Sequence, residues 1–194
     1  MKPYTDIERI QTLLHEFFGD EGLNFATERI SDFFQYVFSA PCERSEPEVS
    51  RLLYIHFDLL RLIEAAYLLP HNLLPDFNQP TENFITTAKQ IRAELESWDE
   101  FPSHLKPQEW RKPETVIDEF FELQTIDEWK DAVQGSLQSA IGCSSISERL
   151  TEVQFGFIVI QIHRLADAVW LLKVTGRIKT VELAEAEEDE TTNS

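Results

Sequence analysis

Two stretches of the chain repeat one another at a fixed offset of 103 residues, and no other feature restricts its fold so tightly. Glu16-Phe17-Phe18 recurs as Glu119-Phe120-Phe121, and the run from Arg61 to Leu69 recurs from Arg164 to Leu172. Between these anchors the register holds without gaps: Ile30 meets Val133, Phe34 meets Leu137, Phe38 meets Ile141, Tyr54 meets Phe157 and Leu59 meets Ile162. Aligned amphipathic helices resemble one another at apolar positions for trivial reasons. The charged matches Glu16/Glu119, Arg61/Arg164 and Glu64/Asp167 have no such explanation. The pattern predicts a duplicated unit of three helices, medium, medium and long.

Capping signals and apolar spacing locate the helices. Thr5-Asp6-Ile7-Glu8 is a capping box opening a helix over 6–18, with Ile10, Leu13, Leu14, Phe17 and Phe18 on one stripe. Asn24 is a candidate cap for a second helix over 25–39. Ser45-Glu46-Pro47-Glu48 launches a long helix to about Leu69, and Pro70, Pro75 and Pro80 block its continuation. A more polar helix is expected over 81–98, followed by a crossover loop through Lys112 that contains Pro102 and Pro107. The second copy then runs as Glu114 to Leu123, a helix capped by Thr125 to Ile141, and a long helix capped at Ser145 and ending near Thr175, with Gly176 as C-cap.

Both long helices carry apolar residues nearly all round. In the first, Leu52, Ile55, Leu59, Leu62, Ile63 and Ala66 form one side, and Tyr54, Phe57 and Leu68 join Arg61 and Glu64 on the other. Such helices belong at the centre of a shared core. The expected fold is an all-α bundle of six to seven helices with pseudo-twofold symmetry, one domain over 1–180. Repeat 1 covers about 5–76, a connector helix and loop 77–112, and repeat 2 about 113–179. Residues 181–194 read as a solvated acidic tail.

The net charge is −18, and removing the six carboxylates between Glu182 and Glu190 still leaves −12. A body this acidic repels nucleic-acid phosphates and anionic membranes, and it suits a partner protein with a basic surface. Cys42 and Cys143 have no neighbouring cysteine or metal-type spacing, which fits a reducing compartment. With no apolar leader and no uncharged apolar run of spanning length, the expected location is the cytoplasm, with neither membrane nor direct nucleic-acid contact.

Candidate chemistry rests on the charges common to both copies. Arg61 with Glu64, and Arg164 with Asp167, are spaced to pair on one helix face, with Glu16 and Glu119 as third partners. One reading is a structural ion-pair network of Glu16, Arg61, Glu64, Glu119, Arg164 and Asp167 that fixes helix register. The other gathers Glu16, Glu64, Glu119 and Asp167 as a carboxylate site for a divalent metal, with the arginines counting against it. His15, His56 and His163 lie on different helices, and His15 and His56 are not retained by the repeat. Arg51 and His56 become Gln154 and Val159 in the second copy, which demotes that pair too.

Trp98, Phe101 and Trp110 bracket the crossover loop, either pinning it to the core or forming an interaction surface. Gly-rich phosphate loops and nucleophile motifs are lacking. The expected function is a non-catalytic helical protein-binding module, an adaptor, regulator or inhibitor that needs no cofactor. The alternative is a metal-dependent enzyme or ligand-binding bundle using the four carboxylates.

Overall fold

The computed structural model describes residues 6–39, 44–73, 100–142 and 151–178. Among these it is all-helical, with six α-helices and no strand: α1 Asp6–Phe18, α2 Gly22–Phe38, α3 Glu46–Leu68, α4 Glu114–Leu123, α5 Ile126–Ile141 and α6 Glu152–Val174. A 3-10 turn, Leu69–His71, follows α3 at Pro70. An isolated antiparallel bridge joins Leu73 to Ile178, tying together the segments that follow the two long helices. The helix expected over 81–98, the tail, Trp98, both cysteines and the Ser145 cap lie outside the described residues.

Helix starts follow local chemistry. The backbone N–H of Ser45 donates to Glu48 at 2.8 Å, and that of Thr125 donates to Glu128 at 2.7 Å, which completes two of the capping boxes read from sequence. Two starts differ. Helix α2 begins at Gly22 rather than behind Asn24, because Glu100 accepts a hydrogen bond from the Leu23 N–H at 2.9 Å and so caps the helix from a distant part of the chain. Gly22 has φ +74°, and a Cβ there would collide with the Glu100 carboxylate, so only glycine fits. Helix α6 begins at Glu152, with Thr151 and Gln154 forming the capping box. At its other end Gly176, with φ +66°, donates to the Lys173 carbonyl, and the Arg177 N–H reaches the Leu172 carbonyl. These two bonds make a Schellman motif.

One contiguous core draws on all six helices and on Leu105 and Trp110 of the crossover loop. Helix α1 packs chiefly on α3, and α4 on α6; α2 packs on α6, and α5 on α3. The side chains Phe17, Phe18, Phe33, Phe120 and Trp129 are fully buried, each contributing about 2 to 3 kcal/mol of apolar transfer. Phe120 stacks on Trp129 at 4.0 Å, and the indole N–H of Trp129 donates to the Phe120 carbonyl, so α4 and α5 are locked together.

The two long helices are not covered alike. From Gln161 to Leu172 α6 is buried nearly all round, apart from Arg164. Its apolar run is long enough to cross a bilayer by length and composition, yet 72% of that window is buried inside the protein. The expectation that α3 is enclosed all round fails. Leu53, Tyr54, Phe57 and Tyr67 face outward, because the described neighbours pack on the side that carries Leu52, Ile55, Leu59 and Ile63.

Candidate functional site

Arg61 and Arg164, 103 residues apart, are held by corresponding groups. Arg61 donates to Glu16 at 2.7 Å and to Asp58 at 2.9 Å; Arg164 donates to Glu119 at 3.1 Å and to Gln161 at 3.0 Å. Asp58 and Gln161 are themselves 103 residues apart. The expected partners Glu64 and Asp167 bond elsewhere: Glu64 pairs with Arg9, and Asp167 receives His104. Arg164 also meets the buried Glu109 at 2.8 Å. The i,i+3 rule is satisfied in the other direction, from arginine back to the residue three before it, a side chain that faces the core and must find its polar partners within the protein.

Asp58 is 1% exposed and takes Arg29 of α2 as well as Arg61. Burial pushes its carboxyl upward, against the pull of both guanidinium groups. Arg29 also donates to the Phe17 carbonyl and lies against the rings of Phe17, Phe25 and Tyr54. Glu16, Glu64 and Glu119 therefore sit in separate ion pairs and Asp167 in a hydrogen-bonded contact with His104, rather than around one point. Among the described residues no three His, Cys, Asp or Glu side chains come together as metal ligands. His15 is exposed on α1, while His56 and His163 are buried on α3 and α6.

A second polar cluster was not legible in the spacing. The buried carboxylate of Asp167 accepts the His104 backbone N–H at 2.7 Å and lies 3.2 Å from its Nδ1. The His104 ring stacks on His163 at 4.5 Å, and His163 Nε2 is 3.4 Å from the Ser31 hydroxyl. Asp, His and Ser are all present, yet the chain of hydrogen bonds is interrupted where the two imidazoles stack face to face, a contact that carries no proton. Burial, and then the neighbouring His104, lower the His163 pKa to about 4, which makes it a weak base. The cluster is suited to pinning the crossover loop on α6, not to activating a hydroxyl. His163 and Asp167 stood out in the sequence for other reasons, but nothing in the spacing tied them to His104 in the Pro-bounded loop.

Trp110 is 8% exposed and packs edge-to-face on the partly buried Phe101 at 5.5 Å. Trp110 belongs to the core and Phe101 packs against it. The exposed apolar residues lie elsewhere. Along the outward line of α3, Leu53, Tyr54 and Phe57 are 38%, 55% and 54% exposed; along that of α6, Val153, Phe157 and Ile160 are 82%, 39% and 56% exposed. Arg51, beside the α3 line, pairs with Asp32 and helps line a polar cleft of about 250 Å³ with Gln35, Tyr36 and Ser39.

Comparison with protein-family models, with curated proteins and with solved structures gives no match.

Proposed function

We propose that this protein is a non-catalytic helical module that binds another protein with a basic surface, as an adaptor, regulator or inhibitor. The observation that carries this reading is the line of Leu53, Tyr54 and Phe57 turned outward on a long helix of a chain with net charge −18. Aromatic anchors surrounded by charge are the composition of a protein-binding surface, and scattered single exposures would not fall on one helical line. The acidity favours a protein partner over nucleic acid or an anionic membrane, and it suits a cytoplasmic module that works without a cofactor. The rival reading, divalent-metal chemistry at Glu16, Glu64, Glu119 and Asp167, draws no support from four carboxylates each bonded to a different partner, Arg61, Arg9, Arg164 and His104.

We also infer that the module is an internal duplication with a pseudo-twofold axis. Two correspondences support this. The Arg61–Glu16–Asp58 and Arg164–Glu119–Gln161 groups match residue for residue at one offset. The packing of α2 on α6 corresponds to that of α5 on α3, each copy's second helix lying against the other copy's long helix. On this reading repeat 1 and repeat 2 form one core, so neither folds alone.

Affinity capture from native lysate at low and at high salt, with the Phe57→Asp variant in parallel, tests the function. A basic protein retained at low salt, released at high salt and lost with the variant is the expected outcome. Capture of nothing under either condition counts against an interaction module.

A further inference from the structure

Exposed apolar residues retained across a duplication need a reason other than packing. Tyr54 corresponds to Phe157, and Phe57 to Ile160, at the same 103-residue offset that relates the core. All four are more than a third exposed. On α3 the line runs Ser50, Leu53 with Tyr54, Phe57; on α6 it runs Val153, Gly156 with Phe157, Ile160. Both occupy the N-terminal half of their helix at spacings of three, four and seven residues. Such a line is a ridge about 10 Å long, which fits the groove between side-chain rows of a facing helix.

The ridges are held rigidly from behind. Leu52, Ile55 and Leu59 back the first, and Phe155, Ile158 and Ile162 back the second, all of them buried. A preformed surface loses little freedom on binding. Its charge environment selects the partner. Arg29, Arg51 and Arg61 all lie beside the α3 ridge, and each is bonded to a carboxylate of the protein: Asp58, Asp32, and Glu16 with Asp58, respectively. Glu46, four residues before Ser50 on the first line, and Glu152, next to Val153 on the second, are exposed. Taken with the net charge of −18, this leaves an apolar line in a negative field.

We propose that these ridges are two like docking faces, each accepting a cationic amphipathic helix of a partner protein. The proposal rests on the reading of the chain as an interaction module, and adds the partner's chemistry and a stoichiometry of two helices per chain.

Isothermal titration of the full chain with a synthetic Leu/Lys amphipathic helix tests it, a Leu/Glu peptide of the same apolar pattern serving as control. The expected result is two sites for the Leu/Lys peptide, weakened by salt, and none for Leu/Glu. Phe57→Asp removes one site, Ile160→Asp the other, and the double variant both, each affected face losing at least about tenfold in affinity. All these positions are exposed, and circular dichroism checks that the variants stay folded. Tyr54→Ser and Val153→Ser, gentler changes on the same ridges, are expected to weaken binding in parallel. A single site, no effect of the variants, or equal binding of the two peptides overturns the proposal. So does a homodimer in light scattering that Phe57→Asp dissolves, or binding confined to lipid vesicles. If the double variant still captures the same protein from lysate as the unaltered chain, the module reading stands and this one fails.

Discussion

Arg29 and Asp58 meet out of water, and at the scale of single residues this pair carries the highest stakes. Two charges moved from solvent into the core gain from each other only about what their desolvation costs, so the intact pair adds little stability. Removing Arg29 is different, because the buried Asp58 is then left with Arg61 as its one remaining cationic partner among the described residues. Arg29→Met is expected to lower the unfolding free energy by about 3 to 5 kcal/mol in urea titration, and Asp58→Leu added to it should restore part of the loss. No restoration would mean that Arg29 acts through Phe17, Phe25 and Tyr54 instead. His163 makes the second residue-scale prediction. Its folded pKa of about 4 lies below the ordinary 6.5, so the unfolded chain takes up a proton first as pH falls. Stability is complete above about pH 6.5 and declines toward pH 4 by up to about 3 kcal/mol, with buried His56, also lowered by burial, adding in the same direction. His163→Leu should flatten this slope in pH-dependent chemical denaturation; an unchanged slope would remove the assignment to His163.

Among the elements, those with local signals were legible and those decided by distant contacts were not. Ser45, Thr125 and the apolar stripe of α1 place their helices within about a residue, since the capping partners lie three positions away. The start of α2 was misread because its cap, Glu100, comes from 77 residues further on. The start of α6 could have been found: Thr151-x-x-Gln154 is as good a capping box as Ser145-x-x-Glu148, but apolar residues on both sides of Thr151 blurred the boundary. Thr151→Ala is therefore expected to cost about 1 kcal/mol in thermal or urea unfolding. A neutral effect would place the functional start of the helix further upstream. The same distinction governs the polar clusters. Arg61 and Arg164 stood out through the repeat together with Glu16 and Glu119, whereas their other partners, Asp58, Gln161 and Glu109, face the core and gave no pattern of their own.

Taken whole, the molecule combines a shared core, a strongly acidic exterior and two lines of outward apolar side chains. The periodicity of the long helices suggested enclosure on every side, and periodicity alone cannot separate a face covered by a neighbour from one left for a partner. Tyr54, Phe57, Phe157 and Ile160 are exposed, so no neighbour among the described residues covers that face. This exposure also moves the candidate surface away from Phe101 and Trp110, which the crossover loop turns inward. Amide chemical-shift mapping during titration with the Leu/Lys helix compares these surfaces directly. Shifts concentrated in residues 50–57 and 153–160 are expected. Shifts confined to residues 101–110, or none at saturating peptide, would contradict the interaction surface on which the functional reading depends.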